Sequence, residues 1–296
     1  MKHYSSITEL HRENGFVPPE HPLISFARCN NTCPLGDREF TTDMYMIGFK
    51  KLKAGMIKYG RTKYDHENGS MSFMKPRQII EFNNLEFEED GFLIFIHEDY
   101  LAGHPLLAEI RLYGFFEYES NEALHLSPKE EEIIWDLYNK TIAEYDNNPD
   151  EYSREIMLSY IGSILKYAQR FYKRQFIDRT GLSGNTVTRF DHVLKSYFES
   201  GSLAQRGLPT VQSLASQLNV SARYMSDMLK QETGKTALEL IHIHMMTEAK
   251  NRLRSADVSI AEVAYQLGFE NPPYFTRLFK KEVGITPTEF KRTLLN

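Results

Sequence analysis

The sequence predicts an α+β protein with two distinct halves. A small antiparallel β-barrel with a helical extension comes first, and an all-α domain built on two helix-turn-helix units follows. Three observations carry this. Phe40 to Leu106 is a series of short β-rich runs broken by Gly, Asn and Pro. Ser127 to Ile177 has helical periodicity. Thr210 to Phe290 contains one pattern written twice.

In the first of these stretches, MYMIGFKKL, SMSFMK, RQIIEFNN and GFLIFIHEDY read as strands of an antiparallel sheet or small barrel. The next stretch opens at Ser127 and Pro128, with Glu130, Glu131 and Glu132 in the first turn, where carboxylates suit the helix dipole. Asn147, Asn148 and Pro149 break that helix. A second runs from about Asp150 through Ile156, Ile161, Ile164, Leu165, Ala168 and Phe171. DRTGLSGNT, from Asp178, is Gly-, Ser- and Thr-rich and reads as a linker. The expected organisation is 1–126 barrel, 127–177 helical segment, 178–185 linker and 186–296 C-terminal domain.

The duplicated pattern starts from a puzzle. Val258 to Gly284 reads helical on both sides of Pro272 and Pro273, and proline disrupts helix interiors. Ile260, Val263, Ala264 and Leu267 form one helical face behind a Ser259–Glu262 capping box, and Gly268 stops it. Asn271 then caps a second helix whose first turn accepts proline. Pro272 is expected at its edge, because a residue before proline disfavours the α conformation. Phe275, Leu278 and Phe279 form its apolar face. The prolines therefore mark a start.

The earlier copy is TVQSLASQLNVSARYMSDMLKQETGKTALEL. Val211, Leu214, Ala215 and Leu218 match the first helix at an offset of 49, and Tyr224 to Thr236 matches Tyr274 to Thr286 at 50. Between the copies, Ala237 to Ser255 reads as one helix, with Leu240, Ile243, Met246 (or Thr247), Lys250 and Leu253 along its apolar line.

With the apolar faces docked, the second helix of each copy presents an outward face. These are Arg223, Ser226, Asp227 and Lys230 in one copy, and Pro273, Thr276, Arg277 and Lys280 in the other, with Asn271 at its cap. Arg can pair two acceptors on guanine, Ser and Thr reach base or phosphate, and Lys meets phosphate. The linking helix would span roughly 27 Å at ~1.5 Å per residue. That is near the ~34–36 Å repeat of successive major-groove faces. Packing alone would account for one helical pair, but not for a duplicated cationic face at groove spacing. Double-stranded DNA is the expected partner.

Charge follows the same division. The formal net charge is −5. Residues 186–296 hold 14 Lys and Arg against 11 Asp and Glu; the remainder holds 21 against 29. The cation excess sits with the paired helices and is small, so non-specific DNA affinity should be modest and salt-sensitive.

Residues 186–296 resemble the DNA-binding domain of the AraC/XylS family of bacterial transcription regulators. The second copy carries the resemblance: A-x-x-L-G-F-x-x-x-x-Y-F-x-R-x-F-K-K-x-x-G-x-T-P-x-E-F-K-R, from Ala264 to Arg292. It implies that both second helices enter the major groove through the faces named above. Asp227, Pro272, Pro273 and His244 depart from the family pattern; a carboxylate at Asp227 suits cytosine N4 or a pair with Arg223. Gly69 to Pro76 resembles a strand and turn of small cupin barrels, and Ile94 to Leu106 resembles the segment closing such a barrel in AraC-type regulators. That implies a cupin-like domain holding a small-molecule effector or a dimer contact. The two helices of 127–177 are candidate homodimer elements, and RNA polymerase is a further partner if the protein activates.

The alternative is a metal-dependent cupin enzyme with a helical docking domain. It is disfavoured because Asp65, His66 and Glu67 are consecutive, so neighbours point to opposite faces of a strand. His97 and His104 are separated by a Gly-containing turn, and His242 and His244 do not share a helix face. No catalysis and no cofactor are expected. Cys29 and Cys33 read as free thiols rather than a disulfide framework. No apolar run approaches the roughly 18–20 residues of a membrane span, and MKHYSSITELHREN lacks a signal-peptide core, so a cytoplasmic location is expected.

Overall fold

The computed structural model describes residues 1–29, 38–50, 52–58, 69–87, 91–119, 122–182, 186–199, 203, 207–255 and 258–294. They form two compact units, Met1–Asp178 and Arg179–Asn296.

The first unit carries strands β1 (Lys2–Tyr4), β2 (Ile24–Cys29), β3 (Arg38–Thr42), β4 (Met44–Lys50), β5 (Leu52–Lys58), β6 (Ser70–Met74), β7 (Ile80–Phe87), β8 (Gly91–His97) and β9 (Leu124–His125). Its helices are α1 (Ile7–Asn14), α2 (Leu106–Ile110), α3 (Pro128–Tyr145) and α4 (Ser153–Leu182). Two sheets form, in the orders β1-β3-β7-β5 and β2-β8-β4-β6-β9. This corrects the expected closed antiparallel barrel. Among the described residues no ladder joins the two sheets, and β1 pairs with β3 in parallel. A sheet closes only when its first and last strands pair, and here each sheet keeps its own edges.

Side-chain alternation explains why Met44–Phe49 is buried without a break. Met44 and Met46 of β4 share a core with Met74, Leu93 and Phe95, and with Tyr4, Phe40 and Ile80 of the other sheet. The intervening residues point the other way, as a two-residue period requires. Tyr45 meets the Phe116 ring at 5.3 Å and Phe49 meets Trp135 at 5.5 Å. Phe92 of β8 stacks on Tyr138 of α3 with centroids 4.0 Å apart. The five-stranded sheet is therefore covered on both faces, and its central strands β8, β4 and β6 are buried on both sides. Gly91 is required by close approach: a Cβ there would lie 2.6 Å from the Phe49 carbonyl oxygen.

α3 opens at Ser127 as expected, and the Ser127 N–H donates to Glu130 Oε2 at 2.8 Å. Glu130 also ties α3 to α4. Arg174 donates from Nε and Nη2 to its two carboxylate oxygens at 2.8 and 3.0 Å, and from Nη2 to the His125 carbonyl at 2.8 Å. α4 runs farther than composition indicated: 178–182, read as linker, are helical, and 183–185 lie outside the described residues.

The second unit is helical throughout its described elements: α5 (Thr186–Glu199), α6 (Val211–Leu218), α7 (Ala222–Thr233), α8 (Ala237–Leu253), α9 (Ile260–Gln266), α10 (Pro272–Val283) and α11 (Pro287–Leu294). Leu214, Ala215, Met225 and Leu229 of the first copy share one core with Val263, Ala264, Phe275 and Phe279 of the second. The buried line of α8 differs from expectation. It is Ile241, Met245, Met246, Ala249 and Leu253, whereas Ile243 is 45% exposed.

Candidate nucleic-acid interface

The interface is built from short helices held by their caps. Ser221 Oγ accepts from the Tyr224 N–H at 3.1 Å and opens α7. Asn271 Oδ1 accepts from the Tyr274 N–H at 3.4 Å and opens α10. Pro272 is the first helical residue, not a flanking one. The turn before α7 puts Asn219 in the left-handed region (φ 56°), and the turn before α10 uses Gly268 (φ 82°) at the matching place. Gly234 and Gly284 close α7 and α10 in the same conformation. Thr236–Glu239 and Thr286–Glu289 then form matching pairs: each Glu accepts from the Thr N–H at 2.7 Å. The duplication is thus repeated in the hydrogen bonds.

With Tyr224, Met225, Met228 and Leu229 of α7 and Phe275, Leu278 and Phe279 of α10 buried, the residues singled out from sequence fall on the other side. Arg223 and Lys230 are exposed, and Ser226 and Asp227 are half-buried. Asn271, Pro273, Arg277 and Lys280 are exposed, and Thr276 is half-buried. Arg223 donates from Nε to Asp227 Oδ2 at 3.0 Å. Among the described ion pairs Arg277 has none, whereas Arg223 is paired.

Tyr274, which the repeat matches to Tyr224, was not among the expected interface residues. It stands 48% exposed on the first turn of α10, its ring 5.9 Å from Phe269, whereas its counterpart Tyr224 is 1% exposed. Both helices start in the same phase, and their neighbours correspond: α7 packs on α5, α6 and α8, and α10 packs on α8, α9 and α11. The two tyrosines differ in exposure although the flanking helices match.

The remaining candidate groups have local roles. His244 lies against the Phe198 ring at 4.8 Å, and burial pushes its pKa below the ordinary 6.5. It is an inward-facing residue of α8. His242 lies 3.5 Å from Glu282. His97 Nδ1 accepts from the Asp99 N–H and His104 Nδ1 from the Leu106 N–H, so each caps a turn. Asp65, His66, Glu67 and Cys33 lie outside the described residues, and Cys29 ends β2.

This geometry defines a class: a domain with two helix-turn-helix units, each exposing an Arg and a Lys on its second helix. Residues 214–293 match a family model described as a helix-turn-helix domain. The chain is similar to the uncharacterized transcriptional regulatory protein YesN of Bacillus subtilis strain 168, 38% identical over 23% of this chain and 19% of that one. It is also similar to the xylose operon regulatory protein of Haemophilus influenzae, 36% identical over 25% of this chain and 19% of that one. Among solved structures, the C-terminal domain of AraT, a response regulator from Geobacillus stearothermophilus, is 32% identical. That match covers 38% of this chain and 87% of that one, with a TM-score of 0.32. The chain spans 19% to 41% of the length of the curated relatives it matches.

Proposed function

We propose that this chain is a sequence-specific, double-stranded-DNA-binding regulator of transcription, of the AraC/XylS type and without catalysis. α7 and α10 are its reading helices, each in one of two successive major-groove segments. The observation that carries this is the duplicated outward face, with Arg223 and Lys230 on one helix and Arg277 and Lys280 on the other. The helix-turn-helix match over residues 214–293 supports it. α8 has 17 residues, which at ~1.5 Å per residue bring the two units to about groove spacing.

The two-sheet unit is the regulatory part in this reading. A cupin-like domain of 1–126 responds to a small-molecule effector, and the helices of 127–177 serve a homodimer, with 178–185 leading to the DNA-binding part, 186–296. RNA polymerase is the further partner of an activator. No helix among the described residues is long and apolar enough to cross a membrane; the proposed setting is the cytoplasm.

Genome-wide mapping of bound sites, followed by mobility-shift assays on the recovered sequences against random duplex at fixed salt, tests the proposal. A shared motif with two parts one helical turn apart is expected. Equal affinity for recovered and random duplex would overturn it.

A further inference from the structure

The two copies place charge differently on their outward faces. At the second residue of the helix the first copy has Arg223 and the second Pro273; one turn later they have Asp227 and Arg277. Arg223 therefore sits in a first turn, where the helix dipole disfavours a cation. Its partner lies four residues C-terminal, the weaker order for a helical ion pair. Both side chains are partly exposed, at 44% and 28%, so the pair adds little to stability. Helix stability does not account for this arrangement.

Its geometry does something else. A guanidinium is a planar fork, and a carboxylate on Nε fixes the roll of that plane. Asp227 Oδ2 takes Nε at 3.0 Å, and among the described hydrogen bonds Nη1 and Nη2 have no partner. Those two nitrogens form the end of the fork that matches O6 and N7 of guanine. Resting on the proposed function, we propose that Asp227 is a positioning residue that orients Arg223 for a two-point contact with guanine, so that α7 reads through a pre-oriented arginine while Arg277 of α10 reads through an unpaired one. Orientation before binding lowers the ordering cost at the interface. A carboxylate facing phosphate weakens binding to every sequence alike, so the pair exchanges general affinity for discrimination.

Selection from a library of randomised duplexes with the full chain, then with Arg223→Ala, Asp227→Ala, Asp227→Glu and Arg223→Ala/Asp227→Ala, tests this. Circular dichroism confirms that each variant folds. Arg223→Ala should lose roughly fivefold to 150-fold discrimination at one base pair. Asp227→Ala should lose discrimination at that same base pair while binding random duplex more tightly. The double variant should lose no more there than Arg223→Ala, and Asp227→Glu, which can still reach Nε, should retain the preference. An Asp227→Ala profile that is unchanged, or changed only where Arg223→Ala has no effect, overturns the positioning role. If the unmodified chain selects no motif, the proposed function itself fails; if it selects one and Asp227→Ala keeps it in full, this inference alone fails.

Discussion

Arg277 and Lys280 lie three residues apart on one exposed face of α10, yet the proposed interface gives them different work. Arg277 stands in the second turn with no ion pair among the described residues, and its fork suits guanine. Lys280, nearer the C-terminal end, offers a point charge suited to phosphate. Arg277→Ala should cost about 1–3 kcal/mol on the preferred site and relax one base position. Lys280→Ala should weaken all sequences alike and lower the salt slope by about one unit. Binding isotherms on matched and singly substituted duplexes at several salt concentrations check both; unchanged base preference in Arg277→Ala would remove its base-reading role. The outward positions were legible because i, i+3, i+4 spacing fixes which side chains share a face. The Arg223–Asp227 contact was legible only as one of two options, since spacing permits a pair without choosing it over cytosine. Tyr274 was not legible, because the repeat pairs it with Tyr224, which is buried.

At the level of elements, caps were the most readable feature and burial lines the least. Ser259–Glu262 closes the box its spacing announces. The buried line of α8 was mis-phased because that helix packs against α7, α9 and α10 together, so no single apolar stripe marks its inner side. β1, β2 and β9 escaped notice because each lies apart from the β-rich run and pairs with strands distant in sequence.

The caps yield two predictions. At Gly268, φ is 82° and a Cβ would stand 3.2 Å from the Gly207 carbonyl carbon. Gly268→Ala should lose about 1–3 kcal/mol in urea unfolding, while Asn219→Gly, at the matching turn, should change stability by only a few tenths. Similar losses from both would refute the role of close approach. The second concerns pH. The Thr236, Ser259 and Thr286 N–H groups hold the carboxyls of Glu239, Glu262 and Glu289 below the ordinary 4.5. A depressed folded-state pKa means that the unfolded chain binds more protons. The stabilisation is present above 4.5 and is lost as pH falls through the folded-state values. Glu262→Gln should flatten the acid side of a stability–pH curve; an unchanged slope would show that the cap does not titrate with folding.

For the whole molecule, the sequence separated a strand-rich half from a helical one, and the chain divides into its two compact units after Asp178. Each has its own core: one joins Tyr4, Phe40, Met46 and Phe95, and the other joins Phe190, Leu214, Met245 and Phe279. Among the described residues none belongs to both of these cores. A core complete in itself allows a unit to fold alone, and α5 belongs to the second core through Phe190 and Leu194. A fragment beginning near Thr186 should therefore fold cooperatively and shift the duplex selected by the full chain. The chain's single tryptophan makes the complementary measurement simple. Trp135 packs against Phe92 and Tyr138 in the first unit, at 5.2 and 5.6 Å, so its fluorescence reports that unit. Duplex at a hundred times its Kd should raise the stability of the DNA-binding fragment by about 2.7 kcal/mol, read by circular dichroism. In the full chain the same duplex should move the helical transition and leave the Trp135 transition in place. A fragment that stays unfolded would put the boundary elsewhere, and a Trp135 transition that moves with added duplex would mean that the two units unfold as one.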